Sequence, residues 1–189
     1  AYEICACLVS SEMCIRDRCE AMRNFANKIW NASRFVMMNL TIDKCALPAA
    51  DALAPEDKWV LSKLNTLVKE VTENLDAYEI GVASAKVYDF LWDTYCDWYI
   101  ELTKTRLQGE DEGAKLAAQN VLCYVLTELL KLLHPFMPFI TEEIYQALPH
   151  EDKFIMTSRW PEYRADLAFP AEEAAMDCLL YTSPSPRDM

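Results

Sequence analysis

Residues 23–35, "RNFANKIWNASRF", set three asparagines, two arginines and a lysine among good core residues and close on a phenylalanine. Asparagine is a mediocre helix former, because its amide competes for backbone hydrogen bonds. At 100° per residue, Asn24, Asn27, Lys28, Asn31, Phe35 and Asn39 fall on one side of a helix. Met22, Phe25, Ala26, Ile29, Val36, Met37 and Leu40 fall on the other. The second set reads as a core stripe, whereas the first is a face of amide donors and acceptors with a ring standing in it. Amides of this kind satisfy both polar atoms on an adenine edge. Aromatic rings and guanidinium planes stack on splayed bases of unpaired RNA. Arg34, beside Phe35, and Lys28 upstream supply cations for phosphate. A second reading stays open on pattern alone: the amides cap turns or bond neighbouring helices, and a loop covers Phe35.

The other candidate stretches point to structure more than to chemistry. Asp89, Asp93, Asp97 and Glu101 recur at i+4 steps. Such a ladder reads as a solvated face or as partners for basic residues on a neighbouring helix. One carboxylate in it would suffice to accept from a cytosine amino group. Trp92, Trp98 and Tyr99 on the same stretch read chiefly as core. His134, before Pro135, reads as a helix C-terminal cap, and His150 as a solvated bystander. No glycine-rich phosphate loop, nucleophile–base pair or metal-ligand spacing occurs, so catalytic and metal-binding residues are expected to be none.

Composition bounds the rest. The 189 residues carry a formal net charge of −12, eight cysteines and three glycines. That acidity argues against indiscriminate nucleic-acid binding. The two ends do not match the middle in pattern. Met13–Arg18 back-translates to ATG TGT ATA AGA GAC AG, which resembles the end of a transposon library adapter. Cys178–Asp188 resembles the same end and its primer read on the opposite strand. Residues 1–18 and 178–189 are therefore expected to be adapter-derived and not native. Residues 19–177 are expected to form one domain, cut at both ends by fragmentation. Its cysteines (Cys19, Cys45, Cys96 and Cys123) are scattered, so reduced thiols are expected rather than a disulfide framework or a zinc site. No signal peptide and no run of membrane-spanning length is read, and a cytoplasmic location is expected.

The scarcity of glycine disfavours hairpins. Helices are expected over Glu20 to about Leu40, Glu56–Asp76, Val82–Leu107, Ala114–Leu133 and Pro138 to about Leu148, with a last one starting near Glu172. The stretch from about 153 to 161 reads as extended, because Trp160 precedes a proline. The fold class is all-α, an antiparallel helical bundle with short connections.

"RNFANKIWNASRFVMMN", "DKWVLSKLN", "YDFLWDTYCDWYIELTK", "LLHPFMPFITEEIYQ" and "IMTSRWP" occur in this order. Together they resemble the C-terminal anticodon-binding region of the valyl-tRNA synthetase family, over essentially the whole of residues 19–177. Isoleucyl and leucyl synthetases share the bundle and parts of these motifs. The resemblance implies a bundle that clasps the anticodon loop of valine tRNA. It also implies a parent enzyme whose catalytic domain activates valine with ATP and magnesium, and whose C-terminal coiled-coil arm supports the tRNA. The catalytic signatures H-I-G-H and K-M-S-K-S are missing here, so this piece is expected to bind and not to catalyse, with no cofactor of its own. Carried onto this sequence, Lys28, Arg34 and Phe35 match the family's basic and aromatic contacts, and Asp97 is a further match. Asn24, Asn27 and Asn31 come from the helical wheel. The alternatives are the bundle of a related synthetase, or a scaffold between domains whose amides are spent on protein.

Overall fold

The computed structural model describes residues 2–150 and 152–182, with side chains from Cys19 onward. Every regular element among them is helical, as the periodicity leads one to expect. The helices are α1 (Tyr2–Asn39), α2 (Pro55–Asp76), α3 (Ile80–Asp89), α4 (Ile100–Leu107), α5 (Glu112–Leu133), α6 (Pro138–Ala147) and α7 (Pro170–Thr182). A π-helix over Phe90–Tyr99 joins α3 to α4, so the three form one unbroken rod. α1 begins well before Glu20. The stretch ahead of it has neither proline nor glycine, so a helix once nucleated propagates through it.

Local chemistry sets several boundaries. Pro55 and Pro138 occupy first-turn positions, where a missing N–H costs nothing. Asp111 caps α5, its Oδ1 accepting from the N–H groups of Gly113 at 2.9 Å and Ala114 at 3.2 Å. α2 ends on an unusual residue. Tyr78 takes φ of 61°, its N–H donates to the Leu75 carbonyl, and the Glu79 N–H reaches Asn74. This bond pair normally uses a left-handed glycine. The nearby Gly81 lies inside α3 instead.

The stretch read as extended is only partly so. Phe154 and Ser158 are extended, but Ile155–Thr157 between them makes one 3-10 turn. The Thr157 and Ser158 hydroxyls donate back to the Phe154 and Ile155 carbonyls, at 3.0 and 2.6 Å. Such side-chain bonds compete with an extended backbone.

α5 is the centre of the core. Val121, Leu122, Val125, Leu126, Leu129, Leu130, Leu132 and Leu133 are all buried, and α1, α2, α3, α4 and α6 pack on it. Among the described residues it is the one helix long and apolar enough to cross a membrane by length and composition, but 67% of that window is buried inside the bundle. Leu116, expected on its apolar side, is 44% exposed near the start of the helix. After α6 the chain returns along α2. The Asn65 amide donates to the Arg164 carbonyl and accepts its N–H, both at 2.7 Å. α7 is then clasped by Ser62 to Glu173 at 2.6 Å and Lys63 to Asp177 at 2.7 Å.

A buried polar lock ties α2 to α4. Asp57 is fully buried. Its carboxylate accepts from the Tyr99 hydroxyl at 2.7 Å, from both Arg106 terminal nitrogens, and from the Ala54 N–H at 3.1 Å. Burial, and then the Asp57 charge, push the Tyr99 hydroxyl well above its ordinary range. Burial alone would pull the Arg106 guanidinium down, but its bonds to Asp57 more than reverse this. Removing one partner of such a set strands the other charge in the interior. Asp57→Ala is expected to cost about 3–5 kcal/mol of stability by urea unfolding. A loss below about 1 kcal/mol would show that the lock contributes little.

Candidate functional site

The exposed flank of α1 is the region of interest. Residues 21–42 contain Arg23, Lys28 and Arg34 and no carboxylate, although the chain is strongly acidic overall. Phe25, Ile29 and Val36 are buried, as the wheel places them, and Ser33 joins them with its hydroxyl donating to the Ile29 carbonyl at 2.8 Å. Met22, expected in the core stripe, is instead 51% exposed. It borders a groove with Phe25, Tyr88 and Phe136, beyond the point where α1 is fully covered. Asn24, Asn27, Asn31 and Arg34 are all exposed, so the bundle does not consume these amides.

Lys28 and Phe35 share the predicted face but sit deeper. The Lys28 ammonium donates to Asp97 Oδ1 at 2.8 Å and to the Trp92 carbonyl at 3.0 Å. It also lies 3.6 Å from the centre of the Trp92 ring. Trp92 is stacked on Tyr88, which meets Phe25 in turn with centroids 4.4 Å apart. The Lys28 and Asp97 side chains are only 12% and 17% exposed. A phosphate reaching this ammonium would compete with a carboxylate, a carbonyl and a ring. The structure thus brings Lys28 and Asp97 together as a clamp between α1 and the π-helix. Phe35 is half-buried, with one part against the core, and the Lys104 ammonium stands 5.7 Å from its centroid. Asn39 instead donates back along α1 to the Phe35 carbonyl at 2.8 Å.

The acidic ladder is split by the π-helix. Ile100 donates to the Tyr95 carbonyl, five residues back. More residues then fit in each turn, so side chains four apart no longer stack. Asp89 and Asp93 are exposed beside Lys63 and Lys86, Asp97 faces α1, and Glu101 pairs with Lys104 at 2.6 Å. Of the aromatics read as core, Tyr99 is fully buried while Trp92 and Trp98 are half-buried. His134 ends α5 and shares a 2.8 Å hydrogen bond with Thr141 through Nδ1. His150 is exposed, with Nδ1 at 2.7 Å from the Leu148 carbonyl.

Two residues on or beside the flank escape the sequence reading. Trp30 is 43% exposed and lies three residues after Asn27 and four before Arg34, the spacing of one helical stripe. That spacing was a usable signal. Lys104 reaches Phe35 from a distant helix, and no local pattern announces it.

The described structure is an all-helical bundle with an exposed, amide-bearing flank on α1. The comparisons specify it further. The family model for the anticodon-binding domain of tRNA ligase matches residues 57–182, and the chain belongs to that family. It is 53% identical over 176 residues to the valine–tRNA ligase of Clostridium acetobutylicum, covering 92% of this chain and 20% of that protein. It is 56% identical over 154 residues to that of Clostridium tetani, covering 80% and 17%. With that of Bacillus anthracis it shares 47% over 167 residues, covering 87% and 19%. The chain therefore spans about a fifth of the length of these relatives. A solved LeuRS–tRNA–LeuAMS complex from Agrobacterium radiobacter K84 shares the fold, with a TM-score of 0.55 at 20% identity, over 79% of this chain and 17% of that one.

The clamp is open to a direct test. A double-mutant cycle on Lys28→Ala and Asp97→Ala is expected to give a coupling of about 1 kcal/mol or more in stability, above what exposed pairs usually show. Additive losses would mean that the two charges act separately.

Proposed function

We propose that the exposed flank of α1 receives the unpaired anticodon loop of valine tRNA. The parent is then a valine–tRNA ligase, which joins valine to its tRNA with ATP and magnesium in a catalytic domain outside this chain. A C-terminal coiled-coil arm of the same parent would support the tRNA. The observation that carries the reading is the simultaneous exposure of Asn24, Asn27, Asn31 and Arg34 on one side of one helix. The names of the relatives support the choice of valine, and the tRNA in the structural neighbour's complex agrees with the choice of ligand.

The parts have distinct tasks. The amides supply paired donors and acceptors to base edges. Arg34 meets phosphate, free of the internal carboxylate that holds Lys28. The uncovered part of Phe35 offers a surface for one base, with the Lys104–Glu101 pair beside the ring. Lys28 and Asp97 serve the site by fixing the rotation of α1, so that the amide flank faces outward. Because most of the chain is acidic, attraction to RNA is confined to this flank, which opposes nonspecific binding elsewhere.

Two substitutions test this with an anticodon hairpin of valine tRNA in a filter-binding titration. Phe35→Ala is expected to weaken binding by about 1–3 kcal/mol, the worth of one stacked base. Unchanged affinity would remove Phe35 from the interface. Arg34→Ala is expected to reduce the slope of log affinity against log salt by about one counterion. A slope equal to that of the parent chain would exclude a phosphate contact there.

A further inference from the structure

Of the five tryptophans in the chain, Trp30 alone is exposed. Trp59 is buried, and Trp92, Trp98 and Trp160 are half-buried. Trp59 and Trp160 donate through Nε1 to Asp177 at 2.9 Å and to the Thr72 hydroxyl at 3.1 Å. The Trp30 N–H has no hydrogen-bond partner among the described residues. Its neighbours on α1 form a ridge with it. At 100° per residue, Arg23, Asn27 and Arg34 lie within about 60° of Trp30 around the helix, and all four side chains are exposed. At 1.5 Å per residue, Arg23 stands about 10 Å from the indole in one direction along the axis and Arg34 about 6 Å in the other. Neither guanidinium has an ion-pair partner among the described residues, in contrast to the Lys28 ammonium. The strip of Asn24, Asn27 and Asn31 is thereby bordered by two rings. Trp30 stands on one edge, and Phe35 stands about 140° away on the other.

The chemistry of the ridge selects its occupant. A protein surface that covered it would have to desolvate two guanidiniums and supply carboxylates for both. An unpaired nucleic-acid strand meets every part at once: the indole takes the face of a base, the amide its edge, and the guanidiniums its phosphates. We propose that Trp30 is a second stacking platform of the α1 flank. It takes a different unpaired base from the one on Phe35, with Arg23 and Arg34 on the phosphates to either side. The inference rests on the reading that α1 receives an anticodon loop, and adds a second grip to it. The strand then crosses α1 from ring to ring, over the asparagines that meet the base edges between. Two rings fix the register of the loop, whereas one ring leaves it free to slide. Every base has a face to stack, so Trp30 contributes affinity and register rather than the choice of base.

The full chain and its Trp30→Ala and Trp30→Phe variants are titrated with the anticodon hairpin of valine tRNA, followed by filter binding and by tryptophan emission. Trp30→Ala is expected to weaken binding by about five- to a hundredfold, the loss of one stacked base. Trp30→Phe keeps a ring and is expected to retain most of the affinity. The other four tryptophans are more shielded, so the hairpin is expected to quench the emission of the unsubstituted chain and to leave that of Trp30→Phe nearly unchanged. In hairpins lacking one loop base at a time, the Trp30→Ala and Phe35→Ala losses should vanish at different positions. Equal binding of the hairpin by the unsubstituted chain and Trp30→Ala would overturn the inference and assign the indole to a protein contact, while leaving the α1 reading in place. Undiminished quenching in Trp30→Phe, or losses that vanish at one shared position, would overturn it as well. A hairpin that fails to bind the unsubstituted chain removes the α1 reading itself, and this inference with it.

Discussion

Burial of α5 on nearly all sides is the constraint around which this molecule is built. Apart from one polar stripe of Asn120, Tyr124, Thr127, Glu128 and Lys131, α5 is apolar around its circumference, so other helices must cover the rest. Here α1, α2, α3, α4 and α6 do so, and α2 is itself covered on its other sides by α3 and α7. The mean gain is of the order of 25 cal/mol for each Å² of apolar surface removed from water, and it carries no directional information. Direction comes from the few buried polar groups. Asp57 accepts from four donors at once and thereby sets how α2 and α4 meet.

The same division of labour operates at α1. Apolar burial of Phe25, Ile29 and Val36 holds the helix down. Lys28 gives it a rotation, because its ammonium must find Asp97, the Trp92 carbonyl and the Trp92 ring together. The carbonyl it uses lies in the π-helix, where the regular α-helical bonding is altered. π-segments are frequent at functional sites. With the rotation set, three amides and a guanidinium face solvent, with the exposed Glu20 one turn before Asn24 at the start of the same face.

Much of this was legible in the residues. Periodicity located the helices, since tertiary packing in a bundle rewards the same apolar stripe that propensity favours. Proline and the Asp111 cap marked their ends. The amide face of α1 could be read because asparagine inside a helix has few purely structural motives. The illegible parts were those that depend on meetings between distant segments. The wheel sets Phe35 on an open face, yet the bundle leaves its ring only partly exposed. Met22 was assigned to the core, yet the bundle stops short of it. The acidic ladder was drawn with an α-helical period that the π-helix does not keep, and no local signal in "FLWDTYCDWY" betrays the change.

The sequence by itself determined the all-helical class, the order of elements and the polar character of one side of α1, because these follow from spacing and side-chain chemistry along a single segment. Only the tertiary structure decided that Lys28 closes onto Asp97 while Arg34 stays exposed, that Lys104 stands over Phe35, and that the loop after α1 is strapped to Gln119 and Asn120 of α5. Each of those facts joins residues far apart in the chain. Whether a charge or an amide is spent or available depends on which partner packing brings to it, and nothing in the neighbouring residues records that choice.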